Sequence, residues 1–260
     1  TPWEWFPKLK KVAEDEGLLF FSTPFDFSSV DFLEELNVPL YKIASFEITD
    51  IPLIEYVARK NKPIILSTGI ANLADIELAV KTCRKSGNNE IVLLKCTSSY
   101  PAPIEEANLL TIPHLRDTFD VIPGLSDHTL GSSVAITAVA LGAKVIEKHF
   151  ILDRNSGGPD ATFSMEPEEF KEMVKAIRDV ENALGKVTYE ISPKVEKSKV
   201  FARSLFVVVD VKTGEEVTEK NVRSIRPGFG LHPKYYYSIL GKKFRRDIEA
   251  GTPLDWSKIE

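Results

Sequence analysis

The chain has 260 residues, a formal net charge of −5, 27% charged and 43% hydrophobic residues. That hydrophobic fraction suits a folded globular chain rather than a disordered one, and the mild acidity argues against a nucleic-acid-binding face. No apolar run approaches the ~20 residues of a membrane helix, the first residues do not form a signal peptide, and two cysteines make neither a disulfide framework nor a zinc pattern. The expectation is a soluble cytoplasmic enzyme or binding protein, with no nucleic-acid or membrane partner.

In chain order, a helix-like stretch spans Pro2 to Asp15. Six short apolar runs follow: Leu18–Ser22, Tyr41–Ala44, Pro63–Leu66, Ile91–Cys96, Val121–Leu125 and Lys144–Phe150. Their near-continuous apolar character predicts strands buried on both faces, as in a parallel sheet. Helical spacing lies between them. Leu73, Ile76, Val80 and Cys83 recur on one face, with Asn72 as N-cap and Gly87 near the end. Glu166 to Leu184 carries Phe170, Met173, Val174, Ile177 and Leu184 on one face, Pro167 in its first turn and Gly185 after it. Repeated strand–helix units mean βαβ crossovers.

Every predicted strand ends in polar residues: Ser22-Thr23, Lys42 and Ser45, Ser67-Thr68, Lys95 and Thr97, Ser126-Asp127-His128, Glu147-Lys148-His149. An open doubly wound sheet gathers ligand groups near one switch point, whereas a barrel draws on every strand. The pattern therefore predicts a TIM-type (β/α)8 barrel over residues 1–190, with six of eight units present and two expected upstream of Thr1. Residues 191–200, polar and lysine-rich, read as a linker. Residues 201–260, punctuated by Arg226-Pro227-Gly228, Gly230, Gly241 and Gly251, read as a small, mostly β second domain.

His128 and His149 follow adjacent predicted strands, which places their backbones roughly 5 Å apart. Two imidazoles there either share a divalent ion, leaving positions for water and substrate oxygens, or simply hydrogen-bond at the barrel mouth. Lys42, Lys95 and Lys148 either pair with buried carboxylates, form a Schiff base or, with Ser45, Ser67, Thr68 and Ser126, form a polyanion site. The Ser67-Thr68-Gly69 turn offers backbone N–H groups to a phosphate. Asp160, in Gly157-Gly158-Pro159-Asp160, either orients a substrate hydroxyl or sits in a plain turn. Cys96 reads as a small buried residue, with no histidine in a pattern that suggests a nucleophile.

Together, Phe21-Ser22-Thr23-Pro24-Phe25-Asp26, Tyr41-Lys42-Ile43-Ala44-Ser45, Ile65-Leu66-Ser67-Thr68-Gly69, Gly124-Leu125-Ser126-Asp127-His128-Thr129 and Val145-Ile146-Glu147-Lys148-His149-Phe150 resemble the sialic acid synthase family. The tail from Phe201-Ala202-Arg203-Ser204-Leu205 resembles that family's antifreeze-like (SAF) domain. Thr1-Pro2-Trp3-Glu4-Trp5, Ser45-Phe46-Glu47 and Lys95-Cys96-Thr97-Ser98 look closer to the family's pseudaminic acid synthase branch. The resemblance implies condensation of phosphoenolpyruvate with an N-acetylated amino sugar in its aldehyde form, giving a nine-carbon 2-keto acid and phosphate. It implies that His128 and His149 hold a divalent metal, Mn²⁺ foremost, with Mg²⁺ or Co²⁺ as alternatives. It assigns phosphoenolpyruvate to Thr23, Lys42, Ser45, Ser67 and Ser126, the sugar to Glu147 and Asp160, and the sugar's N-acetyl group to Arg226. It further implies a domain-swapped homodimer. The family's first two strands carry a glutamate and a lysine of the same mouth, so the 260-residue chain by itself is expected to be inactive. Rival readings are another metal-dependent phosphoenolpyruvate-using synthase or aldolase on the same barrel, which needs no such tail, and a non-catalytic carbohydrate-binding protein.

Overall fold

In the computed structural model, which describes residues 1–260, five short strands form one all-parallel sheet. They are β1 (Tyr41–Ile43), β2 (Ile64–Ser67), β3 (Ile91–Cys96), β4 (Ile122–Asp127) and β5 (Val145–Lys148). Their spatial order is β1-β2-β3-β4-β5, the order of the chain. Each strand is thus paired with the next one in sequence, without the reversal that defines a doubly wound sheet. Helices α3 (Ile51–Ala58), α4 (Leu73–Lys85), α5 (Thr111–Phe119) and α6 (Ser133–Ala140) are the successive crossovers. Preceding them are α1 (Phe6–Asp15) and α2 (Phe27–Glu35), and α7 (Pro167–Leu184) follows β5. The sheet is a curled part of a (β/α) barrel wall.

Side chains alternate across that wall with a period of two. Ile64, Leu66, Ile91 and Leu93 pack outward on Leu53, Ile54, Val57, Ile76, Ala79, Val80 and Cys83 of α3 and α4. Leu125 packs outward with Ile112, Val134 and Ala138. The intervening residues Ile65, Val92 and Leu94 form a separate inner cluster with Leu40 and Val145. Gly124 lies between Leu94 and Val145 in register. A Cβ there would come within 2.6 Å of the Val145 carbonyl oxygen and closer still to Leu94 Cδ2. The inner face has no room for a side chain at that point.

The helix signals act as expected from their residues. Asn72 caps α4 by accepting from Ala74 and Asp75, and Asp75 returns the bond in a capping box. The buried stripe of α4 is Ile76, Ala79, Val80 and Cys83, whereas Leu73 is exposed. Glu166 and Glu169 form the capping box of α7, with Pro167 in the first turn and Gly185 at the end.

The first predicted strand is not one. Residues 18–22 join no ladder, and Leu18 and Leu19 are 63% and 72% exposed. A parallel strand requires a hydrogen-bonded neighbour, and β1 pairs only with β2.

The chain divides into two units, Thr1–Gly185 and Lys186–Glu260. The second contains the short helices α8 (Pro193–Glu196) and α9 (Tyr236–Ile239) and an antiparallel pair, β6 (Ser204–Val207) and β7 (Val222–Ile225). Its core is Leu205, Val207, Val211, Val217, Val222, Ile239, Phe244, Ile248, Leu254 and Ile259. Isolated bridges tie Val211 to Ile248 and Phe244 to Ile259, so the unit is small and mostly β, with many turns.

Candidate functional site

Beyond the inner apolar layer, the same alternation brings polar side chains to the carboxyl ends of the strands. Lys42, Ser67, Cys96, Ser126 and Glu147 occupy inward positions on β1 to β5. With Thr23, Ser45, Tyr100, His128 and His149 they line one open cavity of about 480 Å³, within the usual range for a small-ligand cleft.

Lys42 is the only lysine or arginine in that lining. Its Nζ donates to Ser67 Oγ (2.8 Å) and the Ile43 carbonyl (3.1 Å), and lies 3.6 Å from Glu147 Oε2. Burial pushes its pKa down, and the nearby Glu147 charge opposes that only in part. Ser126 Oγ donates to Glu147 Oε1 at 2.9 Å, so one carboxylate faces both the ammonium and a hydroxyl. Such an uneasy buried cation is suited to binding a ligand anion.

His128 and His149 stand with ring centroids 5.2 Å apart. His128 Nδ1 is 2.9 Å from the Thr97 carbonyl, the arrangement that fixes the Nδ1–H tautomer and leaves Nε2 free as a ligand. Burial opposes charge on His128, but bonds to the Cys96 sulfur and the Thr97 carbonyl outweigh it, and its pKa rises. His149 moves down, through burial and the neighbouring His128. Asp160 Oδ2 lies 3.6 Å from His149 Nδ1. Asp160 sits outside the cavity lining, on a loop held by Arg154. The Arg154 amide donates to Glu166 Oε1, its Nε donates to the Ser164 carbonyl, and its guanidinium pairs with Glu169. No group of three or more His, Cys, Asp or Glu side chains is arranged to hold a metal. The imidazole pair by itself offers two nitrogen donors, with the Asp160 carboxylate beside His149; a divalent ion there would need water or substrate oxygens for its remaining positions.

Of the alternatives open for the lysines, Lys148 takes the buried carboxylate pairing, with Asp127. Lys95 instead donates to the Cys96 carbonyl and Thr97 Oγ1. Both lie on the outward parity of β3 and β5, away from the cavity lining. Two expectations change. The Ser67-Thr68-Gly69 turn does not present free amides. Thr68 N–H donates to the Leu94 carbonyl and Gly69 N–H to Ser45 Oγ. Gly69 is needed for a close approach, since a Cβ would collide with Ser98 Oγ and sit 2.8 Å from Ser45 Oγ. Cys96 does have a histidine beside it, with Sγ 3.9 Å from His128 Nδ1. Burial resists the thiolate, but hydrogen bonds from His128 and Ser45 outweigh it and lower the Cys96 pKa.

Sequence reasoning missed the aromatic wall. Tyr100 packs over His128 at 4.3 Å and reaches His149 and Phe163, and Phe163 lies 4.9 Å from His149. The only available signal was an aromatic residue shortly after a strand end. Arg226 belongs to the second unit, exposed just past β7, and Ser204 Oγ secures the adjoining turn through the Pro227 carbonyl and the Gly230 amide.

Residues 1–189 match the NeuB family and residues 202–260 match the SAF domain. Pseudaminic acid synthase of Helicobacter pylori is 50% identical over 261 residues, covering 100% of this chain and 77% of the relative. Pseudaminic acid synthase of Campylobacter jejuni (serotype O:2) is 46% identical, covering 98% of this chain and 74% of the relative. The crystal structure of the spore coat polysaccharide biosynthesis protein SpsE of Bacillus subtilis superimposes with a TM-score of 0.69 at 37% identity, covering 100% of this chain and 78% of that one.

Proposed function

The chain belongs to the NeuB family, synthases that join phosphoenolpyruvate to an amino sugar to form a nonulosonic acid, and we propose that this member does so at the mouth between Lys42 and His149, giving a pseudaminic-acid-type product. The observation that carries the assignment of the site is the convergence of Lys42, Ser67, Ser126 and Glu147 with an imidazole pair in one cavity.

The ammonium of Lys42, with the hydroxyls of Thr23, Ser45, Ser67 and Ser126, holds the phosphate and carboxylate of phosphoenolpyruvate. Charge-assisted donors in a buried pocket suit that anion. Glu147 and Asp160 orient hydroxyls of the open-chain sugar, and Tyr100 and Phe163 exclude water beside the imidazoles. The enol carbon of phosphoenolpyruvate then attacks the aldehyde carbon, forming the new C–C bond, and the aldehyde oxygen takes a proton. Water adds to the carbon that carries the phosphate, that carbon's bond to the bridging oxygen breaks so that phosphate leaves with it, and loss of the water's two protons, one to the former aldehyde oxygen and one to the departing phosphate, leaves the 2-keto group. Holding both reactants in line removes much of the entropic barrier.

His128 and His149 would hold the divalent ion, Mn²⁺ foremost, with Asp160 at its edge. When bound, it supplies Lewis-acid polarisation of the aldehyde oxygen. The free Nε2 left by the Thr97 contact supports this reading. We also propose a homodimer in which the SAF unit of one subunit covers the mouth of the other, bringing Arg226 to the N-acetyl group. The exposure of Arg226 on a pinned turn supports that role. Phosphoenolpyruvate as co-substrate argues for a cytoplasmic setting, and no helix is long and apolar enough to cross a membrane.

The test uses the full-length protein with Mn²⁺, phosphoenolpyruvate and a panel comprising N-acetylmannosamine, a 2,4-diacetamido-trideoxy altrose and the corresponding mannose. Phosphate release and product mass are read together. The expected result is phosphate release that depends on the altrose, with a nine-carbon acid of matching mass. Sugar-independent release, or none with any of the three, would overturn the assignment.

A further inference from the structure

Behind the two imidazoles, on the opposite face of the wall, lies a buried ion pair with no role in the chemistry above. Lys148 Nζ is 2.7 Å from Asp127 Oδ2, and both side chains are 1% exposed. The ammonium also donates to the Thr129 carbonyl at 2.6 Å. The other Asp127 oxygen accepts from the Thr129 amide (2.9 Å) and the Thr129 hydroxyl (2.7 Å). Every strong partner is satisfied within the cluster.

Its place in the chain is informative. Asp127 immediately precedes His128 and Lys148 immediately precedes His149. Asp127 and Lys148 are also the last register partners of the β4–β5 ladder. Past them the strands separate: the His128 carbonyl accepts from Ala102 and the His149 carbonyl from Met165, each in a different loop. The ion pair is the tie that spans the two strand ends at the level of the imidazoles. Period-two alternation puts it on the outer face, so it sets backbone separation without entering the cavity.

Stability does not explain it. An isosteric apolar pair commonly serves a fold as well as a buried ion pair, or better, because desolvating two charges offsets most of their attraction. What the pair provides is a fixed distance and register. We propose that Asp127 and Lys148 are positioning residues that set the spacing of His128 and His149, and thereby the affinity of the divalent-cation site. This rests on the metal-site reading above.

The test compares Mn²⁺ binding by the wild-type chain and by the Asp127→Asn/Lys148→Met double variant, following free Mn²⁺ by electron paramagnetic resonance, with circular dichroism and thermal melting alongside. The asparagine side chain in that variant retains an acceptor for Thr129, and the change leaves no buried charge. The expected result is a retained fold with a Mn²⁺ dissociation constant raised about 10–100-fold, the range for supporting groups behind metal ligands. A folded double variant that binds Mn²⁺ like the wild type would overturn the inference while leaving the metal site standing. No saturable Mn²⁺ uptake by the wild type would sink the metal reading and the inference with it. Should the double variant fail to fold, Lys148→Arg decides: it keeps the charge but changes the reach, and unaltered Mn²⁺ affinity in that variant refutes the proposal.

Discussion

Gly124→Ala is the smallest change that probes the barrel wall. Gly124 pairs with Leu94 on β3 and Val145 on β5. The added methyl would overlap Leu94 Cδ2 and stand 2.6 Å from the Val145 carbonyl oxygen and 3.1 Å from Val145 Cβ. Carbon atoms in good contact lie about 3.5–4.0 Å apart, so all three contacts are compressed. The leucine methyl can rotate, but the carbonyl belongs to the neighbouring strand and yields only if β4 and β5 part. Overpacking of this kind costs about 1–3 kcal/mol, and the backbone contact places Gly124→Ala at the upper end. At roughly 2–4 °C per kcal/mol for a unit of this size, the melting temperature falls by roughly 6–12 °C. Differential scanning calorimetry reads that loss. Truncating Leu94 to alanine in the Gly124→Ala background removes the methyl contact but not the carbonyl one, so the two substitutions couple without full rescue. A Gly124→Ala chain melting within about 2 °C of wild type would show that the wall gives way easily, and the account of the inner face would be wrong.

Two further outcomes follow from the electrostatics. Lys42→Met removes the only lysine or arginine of the cavity lining and should lower kcat/KM for phosphoenolpyruvate by about 10²–10³-fold; because burial already disfavours the Lys42 charge, its melting temperature should hold or rise, and unchanged kinetics would remove Lys42 from the site. In the second unit, hydrogen bonds from Lys212 and Thr213 hold Asp247, and bonds from Lys258 and Ser257 hold Asp255, each down at about 2 against an ordinary 3.8. Between those pH values the unfolded chain binds more protons, so stability is present above about 3.8 and lost as pH falls toward 2; Asp247→Asn with Asp255→Asn should flatten melting temperature against pH in that window, and an unchanged slope would assign the acid sensitivity elsewhere.

The sequence made the strand ends legible because burial on both faces leaves a continuous apolar run that stops abruptly at polar residues. That placed Lys42, Ser67, Ser126, Glu147, His128 and His149 at one rim, and the structure gathers them in one cavity. Which way each residue faces was harder to see. In a strand buried on both sides apolarity does not alternate, so nothing in Leu94-Lys95-Cys96 or Glu147-Lys148-His149 marks the lysine as outward. Parity becomes readable only once the register is known. Leu18–Ser22 misled for a related reason: an apolar run states a preference for burial, whereas a strand also needs a neighbour. Tyr100 was hidden because it sits on a loop that folds back over the mouth, and the Cys96–His128 contact because it depends on the β3–β4 register, which sets Cys96 opposite Ser126.

Arg154 fastens both ends of the loop that carries Asp160, through its amide to Glu166 and its guanidinium to Ser164 and Glu169. The span between, with Gly157 and Gly158 at positive φ, bears on the cavity edge but not on the wall. Within it, residues 155–160 are exposed, whereas Phe163 is buried against His149. The exposed stretch can be lengthened, shortened or exchanged while Phe163 and the Arg154 contacts stay in place. With Asp160 meeting the sugar as proposed, grafting that stretch alone between relatives is a direct way to transfer preference while the barrel stays constant.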